Sequence, residues 1–403
     1  MSCASQKASA ANDTGVLFYT ALGMWIVGRL CKSLAIAQDL ASFSQILTFS
    51  SLALLVIFEL TKLDVNRLVS WLPFTALLLL VPSAIQGQDT VLFQGILFAV
   101  CARHCRFEIA AKVFLVVILT VTIGAIVLSL VGVIPNNMVY VTGRTRMSLG
   151  FVWPSRAPNL LLTATCLYVY LKRDRLSVTS IILFGIAAYG LYALTESRNP
   201  FVFTMVLLVL AFAIQKLNLL NSPSAVAKVI PLIFVFCAVV SVGLCWAYDS
   251  SISWMRELNI LTTRRLFLSH LAFESSPISL WGTDFFLDAD SETEGFLDSS
   301  YLQLWFYYGL VAFVAVVTFW TVLLKRALNN GNRYLVVILI CIALHSVLEG
   351  QLLVLEYTPF MLLFFAHEAR HGASEPICLQ EKRHRKCLSE EHARIVSRNG
   401  NSI

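Results

Sequence analysis

The apolar residues of this chain fall in long blocks, and these blocks constrain the fold more than any other feature. Most are about 15–25 residues long, the length that an α-helix needs to cross the hydrocarbon core of a bilayer. Of 403 residues, 58% are apolar and only 13% are charged, against about 45–50% and about 25% in soluble domains. We therefore expect an all-α fold, that of a polytopic integral membrane protein.

The blocks predict about 12 transmembrane helices, of which the fourth is the shortest. They cover residues 15–30, 44–61, 68–86, 90–102, 109–134, 157–171, 176–195, 200–220, 226–247, 301–324, 333–348 and 350–366. Residues 1–14 would precede a transmembrane domain that spans 15–366. Residues 367–403 form a basic tail that we expect to be disordered.

The distribution of lysine and arginine predicts the orientation in the membrane. With both termini in the cytoplasm, the inner side holds 21 of the 30 basic residues. The opposite orientation would place this excess outside, against the positive-inside rule. The net charge of +6 is therefore explained by cytoplasmic loops and does not indicate nucleic acid.

Two of the predicted extracytoplasmic loops are long, residues 135–156 and the large loop 248–300 between spans 9 and 10. Long loops among short ones usually carry function. Apart from two basic residues beside the first span, every basic residue on the predicted outer side is an arginine. These are Arg144, Arg146, Arg156, Arg198, Arg256, Arg264 and Arg265. Guanidinium groups bind phosphate in a bidentate manner that lysine cannot match, so a phosphate-bearing ligand is predicted. Anchoring of these residues at lipid headgroups is the alternative.

Arginines and carboxylates lie at the ends of several predicted spans. Arg198 lies in a very short turn between spans 7 and 8, where an arginine at membrane depth predicts function. Asp298 lies where the large loop re-enters the membrane, and could act as a base or orient an arginine. His345 and Glu349 are spaced i,i+4 on one helical face. A structural ion pair and a catalytic role are both open for Glu349.

In their order and spacing, these elements resemble the O-antigen polymerase and O-antigen ligase superfamily. The likeness extends over about residues 90–365, and no single motif in it is specific. The motifs are Arg146-x-Ser148-Leu149-Gly150-Phe151 with Pro158-Asn159, Ser197-Arg198, Leu261-Thr262-x-Arg264, Leu280-Trp281-Gly282, Asp298-x-x-Tyr301-Leu302 before Tyr308-Gly309-Leu310, and His345 with Glu349. The chain looks most like the bacterial polymerases of capsule, exopolysaccharide or O-antigen.

The resemblance implies a metal-independent membrane glycosyltransferase without a cofactor. Such an enzyme joins undecaprenyl-diphosphate-linked oligosaccharide repeat units at the outer face of the bacterial plasma membrane. Its implied partners are the lipid-linked oligosaccharide, membrane lipid, and the flippase and chain-length regulator of the same pathway. Catalytic roles fall to Asp298, Arg198 and Arg264, and binding of diphosphate or glycan to Arg144, Arg146, Arg265, Tyr301, His345 and Glu349.

Three alternatives remain open. A ligase-type glycan transferase shares the motifs, but ligases commonly carry a loop histidine close to where Asp298 stands, and here the loop's histidine is His270. A secondary transporter fits the number of spans, although the two halves of the chain show no repeat. The third alternative is an intramembrane metalloprotease, because the sequence 367–371 fits the zinc-binding pattern H-E-x-x-H. This sequence, however, lies in the predicted cytoplasmic tail.

Overall fold

A computed structural model of the chain describes residues 3–62, 72–86, 90–141, 144–217, 229–276, 278–283 and 297–368. Within these residues the fold is almost entirely helical. The helices are α1 Cys3–Cys31, α2 Ala41–Lys62, α3 Leu72–Gln86, α4 Val91–Cys101, α5 Phe107–Leu130, α6 Arg156–Lys172, α7 Val178–Thr195, α8 Arg198–Leu217, α9 Ile233–Trp246, α10 Ser253–Leu261, α11 Arg265–Ser275, α12 Ser300–Gln303, α13 Gly309–Asn329 and α14 Arg333–His345. A hairpin of β1 Met138–Val141 and β2 Arg144–Met147 is the one sheet of the described residues.

Five helical segments are long and apolar enough to cross a membrane. They are α2, α5, α7, α8 and the continuous segment Ser300–Asn329, which contains α12, a π-helical turn at Leu304–Tyr308, and α13. Shorter apolar helices lie at Gly15–Cys31, Val91–His104, Ile230–Trp246 and Arg333–His345. The prediction of an all-α fold with membrane-spanning helices is confirmed to this extent.

The outer surface of the helices is apolar, as a lipid-facing surface requires. In α7 only Ala188 and Thr195 are buried, and Leu183, Ile186 and Tyr189 are all more than half exposed. Water-soluble proteins rarely expose contiguous apolar surface of this kind. A helix that is apolar on all sides is typical of a membrane span.

The interior of residues 3–367, which form one compact unit, is rich in large aromatic side chains. The ring of Phe107 lies 5.0 Å from that of Tyr170 and 5.7 Å from that of Phe360, and all three side chains are fully buried. This cluster joins α5 and α6 to the 3₁₀ helix Pro359–Phe364. Van der Waals packing of this kind holds helices together in lipid, where the hydrophobic effect between helices is absent.

Residues 350–366, the predicted twelfth span, do not form a continuous α-helix. They form turns followed by the 3₁₀ helix Pro359–Phe364. Nearly all of this segment is buried against other helices. Its hydropathy therefore reflects the protein interior rather than lipid, and sequence periodicity alone does not separate the two.

Both long loops contain regular structure. Residues 135–156 include the β1–β2 hairpin, and residues 248–300 include α10 and α11. The acidic stretch 284–294 of the large loop lies outside the described residues, as does the tail from 369 onward with the second histidine of the pattern at 367–371.

Candidate functional site

The β1–β2 hairpin carries Arg146 to the turn between α7 and α8. The Nε of Arg146 donates to the carbonyl oxygen of Thr195 at 2.9 Å, and its Nη2 donates to Ser197 Oγ at 2.9 Å. Arg144, on the same strand, lies 3.9 Å from the carboxylate of Glu196. The hairpin and the turn are thus joined by side chains of the two predicted motifs.

Gly150 brings the end of the hairpin loop against α5. Its φ is +84°, and a Cβ at this position would lie 2.7 Å from the carbonyl oxygen of Ala125. Only glycine tolerates both the left-handed conformation and this approach. The glycine of the predicted motif therefore has a structural reason, since it fixes where the arginine strand leaves the helix bundle.

The turn between α7 and α8 presents Arg198 at the start of α8. Glu196 caps α7 in the left-handed conformation with φ of 48°, so the chain reverses in very few residues. The side chain of Arg198 is exposed, and within the described part of the chain it forms no ion pair. Asn199, the next residue, donates from Nδ2 to the carbonyl oxygen of His345 at 3.5 Å.

A strained turn precedes α11 and separates two adjacent arginines. Thr263 and Arg264 both have positive φ, 59° and 63°, a conformation that costs about 1–2 kcal/mol for each non-glycine residue. Asn259 holds this turn, since its carbonyl oxygen accepts from Arg264 N at 2.7 Å and its Oδ1 accepts from Phe267 N at 3.0 Å. The Arg264 side chain is left exposed and Arg265 begins the helix.

Arg265 lies at the centre of a cluster of charged side chains. Its Nε is 2.8 Å from Asp298 Oδ2, and its Nη2 is 3.6 Å from Glu349 Oε1. Its Nη1 also donates to the carbonyl oxygen of Leu348. Asn159, near the start of α6, donates from Nδ2 to Glu349 Oε2 at 3.4 Å.

Ser300 holds the two carboxylate-bearing segments against each other. Its Oγ donates to the carbonyl oxygen of Glu349 at 2.6 Å and accepts from Leu352 N at 2.9 Å. Its own N–H donates to the carbonyl oxygen of Ser346 at 3.0 Å. The start of α12 and the turn after α14 are therefore fixed together, which brings Asp298 and Glu349 to the same arginine.

A second pair of motifs meets where the large loop returns to the bundle. Leu310 N donates to Ser279 O at 3.0 Å, and Thr283 N donates to Phe306 O at 2.9 Å. A Cβ on Gly282 or on Gly309 would overlap the backbone of the other segment. The two glycines of these motifs thus permit backbone-to-backbone contact, and their role is structural.

Burial changes the proton affinity of the clustered groups. Desolvation raises the pKa of Glu349, opposed chiefly by the positive charge of Arg265. Desolvation also raises the pKa of Asp298, again opposed by Arg265. Burial lowers the pKa of Arg146, while Glu349 opposes this shift. Arginine nevertheless stays protonated in proteins, so the cluster holds permanent positive charge beside carboxylates that desolvation makes more basic.

The predicted site residues divide into three groups. Arg144, Arg146, Arg265, Asp298 and Glu349 are joined by ion pairs or hydrogen bonds to the segments described above. Arg198 and Arg264 are exposed beside these segments. Tyr301 and His345 are buried in the bundle: Tyr301 Oη donates to Ala343 O at 3.0 Å, and the His345 ring packs edge-on against Phe203. These last two are placed to shape the site rather than to reach a solvent-exposed ligand.

Two half-buried arginines make contacts that the sequence did not predict. Arg156, at the first position of α6, donates to Tyr357 Oη at 3.1 Å. Arg29 Nε is 2.9 Å from Glu356 Oε1. Both arginines were assigned to the predicted outer side, but their partners lie in the segment predicted as the twelfth span. No local signal in the sequence indicates that this segment supplies them.

The described residues contain no group of three His, Cys, Asp or Glu side chains arranged to hold a metal ion. Fold and site together describe an α-helical membrane protein with an arginine- and carboxylate-rich cluster where the hairpin, α6, α8, α11 and the 346–352 turn meet. No protein-family model, curated protein or solved structure matches the chain.

Proposed function

We propose that this protein is a polymerase that joins lipid-diphosphate-linked oligosaccharide repeat units into a surface polysaccharide. The donor would be an oligosaccharide on undecaprenyl diphosphate, in keeping with the resemblance to the O-antigen polymerase and ligase superfamily. The observation that carries the proposal is the cluster of Arg265, Asp298 and Glu349, with Arg146 close enough to interact electrostatically with Glu349 and Arg265. Arg198 is exposed next to Ser197, to which Arg146 donates. These residues come from segments far apart in sequence.

The cluster has the chemistry that a lipid diphosphate needs from its enzyme. The departing diphosphate develops negative charge, which fixed guanidinium groups stabilise well in a site of low dielectric. Arg198 and Arg264 are exposed and have no ion pair among the described residues, so they are available to the phosphate oxygens. Arg146 is held rigidly by Thr195 and Ser197, which favours its role as a preorganised contact.

The charge distribution supports an outward-facing site. α5 is 24 residues long, about 36 Å from end to end. The end that begins at Phe107 lies beside Arg103 and Arg106, which the positive-inside rule assigns to the cytoplasm. The other end leads into the arginine hairpin, so the cluster would face the periplasm or cell exterior, with both termini in the cytoplasm of a bacterium.

In the reaction, a hydroxyl of the acceptor glycan would attack the anomeric carbon of the donor sugar. The bond from that carbon to the diphosphate oxygen breaks, and its electron pair leaves with the lipid diphosphate. The hydroxyl proton passes to a carboxylate, for which Asp298 is the candidate predicted from the sequence. Flippase and chain-length regulator of the pathway would supply donors and limit the polymer.

The test is to delete the gene and complement it with single variants, with the surface glycan resolved on gels. The deletion is expected to leave a single repeat unit and no long polymer. Arg198→Ala should abolish long polymer at normal protein abundance. Arg256→Ala, an exposed arginine on α10, is the matched control and should keep the polymer. Long polymer in the deletion strain would refute the proposal, and long polymer with Arg198→Ala would refute the assignment of Arg198.

A ligase-type transferase is the alternative within the same chemistry. Its commonly observed loop histidine has no clear equivalent here, because His270 contacts the carbonyl oxygen of Cys245 at 3.0 Å and lies 3.5 Å from Glu274. If deletion leaves long polymer that is no longer attached to its acceptor, the ligase is the correct function. If deletion leaves the glycan intact and purified protein carries solute into vesicles, the protein is a transporter.

A further inference from the structure

Two carboxylates share one guanidinium in the cluster, and they differ in their surroundings. Asp298 is 39% exposed and lies 2.8 Å from Arg265, whereas Glu349 is 12% exposed and lies 3.6 Å from it. Asp298, the carboxylate closer to Arg265, is thus the more solvated of the two. Paired carboxylates in unequal environments commonly take different roles, with the buried one as the proton acceptor or donor.

Glu349 is held in place by groups other than Arg265. Asn159 donates to its Oε2 at 3.4 Å, and Ser300 donates to its backbone carbonyl at 2.6 Å. The carboxylate therefore keeps its position when Arg265 changes partner. Asp298 makes its ion pair with Arg265 alone among the described residues.

The two carboxylates already have cations beside them before any anion is added. Arg146 and Arg265 provide two positive charges, and Asp298 and Glu349 provide two negative ones. A diphosphate that enters this cluster competes with the carboxylates for Arg265, because guanidinium binds phosphate oxygens in the same bidentate manner. Once Arg265 turns to the diphosphate, Glu349 keeps its burial but loses its nearest cation.

We propose that Glu349, rather than Asp298, receives the proton of the acceptor hydroxyl, and that Arg265 holds Glu349 inactive until the donor diphosphate takes the arginine over. This inference rests on the proposed function and adds an order of events to it. Donor binding makes Glu349 a stronger base, so that, at a pH at which its carboxylate is still ionised, the acceptor hydroxyl is activated only when a leaving diphosphate is in place. The proton moves from hydroxyl oxygen to Glu349 as the new glycosidic bond forms, and then passes to solvent.

Proton affinity and anion binding are linked in this arrangement. The charged groups that face Glu349 are Arg265, Asp298, Arg146 and Arg156. Removal of Arg265 raises the proton affinity of Glu349, because burial then acts with less opposing charge. The anion-bound form therefore binds more protons than the free form, and the affinity for the anion must fall as pH rises.

The experiment measures this linkage on the full-length chain in lipid nanodiscs. The probe is a short-chain P1,P2-dialkyl diphosphate, a diester whose own charge does not change near neutrality. Its Kd is measured by calorimetry between about pH 5.5 and about pH 8. For the unmodified chain we expect Kd to rise with pH by up to about tenfold per unit, the limit for one linked proton.

Three variants locate the proton. Glu349→Gln should bind the probe with a Kd that does not change with pH. Asp298→Asn should keep the pH dependence, as should the control Glu257→Gln, an exposed carboxylate on α10. Glu349→Asp retains a carboxylate and should keep a pH dependence with a shifted midpoint, which covers the case in which the Gln variant does not fold.

The outcomes separate this inference from the function on which it rests. A probe that binds the unmodified chain with a pH-independent Kd refutes the inference and leaves the diphosphate site standing. A pH dependence that persists in Glu349→Gln, or is lost in Asp298→Asn but not in Glu349→Gln, refutes the assignment to Glu349. A probe that does not bind at any pH refutes the diphosphate site itself.

Discussion

Ser300 positions other residues of the site but has no charge of its own. Removing its hydroxyl therefore tests how the site is held together without changing the charged groups. Ser300 is fully buried and carries no charge, yet its hydroxyl joins the Glu349 carbonyl to the Leu352 N–H. Ser300→Ala removes both hydrogen bonds and changes little else. The turn that carries Glu349 then loses its principal link to the segment that carries Asp298.

The expected change in the free energy of unfolding follows from the two backbone groups that lose the Ser300 hydroxyl as their hydrogen-bond partner. A buried donor or acceptor left without its partner costs about 1–3 kcal/mol. Here the buried N–H of Leu352 and the part-buried carbonyl of Glu349 each lose one. Because neighbouring groups relax, we expect the free energy of unfolding to fall by about 2–4 kcal/mol. Polymer formation should fall more than protein abundance does, since both candidate carboxylates lose their mutual positioning.

The measurement is SDS titration of the purified protein in mixed micelles, with glycan gels for activity. Thr321→Ala is the matched control. Its hydroxyl donates to Val317 O within α13 at 2.7 Å, and that carbonyl keeps its helical hydrogen bond when the hydroxyl is removed. If Ser300→Ala destabilises the protein no more than Thr321→Ala does, the hydroxyl does not hold the two segments together.

Two further predictions concern positions away from the charged cluster. Gly150→Ala should lower the free energy of unfolding by more than about 1–2 kcal/mol, since it adds a left-handed alanine to a clash with Ala125. Gly124→Ala, with open space around its Cβ, should be neutral or stabilising in the same SDS titration, and equal effects would contradict the packing argument. Arg103→Ala should destabilise by about 3–5 kcal/mol, because it leaves the buried carboxylate of Glu59 without its cation. The double variant Glu59→Gln/Arg103→Ala should regain part of this loss, and a double variant as unstable as the single one would show that the ion pair is not the cause.

The helices could be predicted from the sequence because every membrane span must meet the same hydrogen-bonding requirement in lipid. All backbone groups must bond within the segment, so a long apolar block such as Phe107–Leu130 has few alternatives to a helix. The segment 350–366 is also apolar, but for another reason. Its residues face other protein segments, and the N–H of Leu352 near its start donates to Ser300 Oγ. Hydropathy measures neither of these contacts.

The sequence predicted which residues belong to the site, but not which of them pair with each other. Arg146 was selected as an arginine of an outer loop and of a family motif, whereas Asp298 and Glu349 were selected as carboxylates at the ends of predicted spans. That Arg265 joins the two carboxylates depends on contacts between residues 33 and 84 positions apart in sequence, which no local pattern encodes. The same holds for Asn159, which the motif named without a role and the structure places on Glu349.

The adjacent arginines show why a motif match needs a structure before it assigns roles. The likeness implied a catalytic role for Arg264 and a binding role for Arg265. Arg264 occupies the left-handed position before α11, and Arg265 occupies the first helical position, so the two side chains leave the backbone in different directions. One is consequently exposed and the other is held by Asp298 and Glu349. Under the proposed function both would serve one anion in sequence: Arg264, which has no ion pair among the described residues, would make the first contact, and Arg265 would follow by exchanging carboxylate for phosphate. The left-handed backbone at Thr263 and Arg264 keeps the side chains of Arg264 and Arg265 pointing in different directions. If these residues were helical instead, the direction of the Arg264 side chain would change. A glycine at either position would relieve the strain and loosen that geometry.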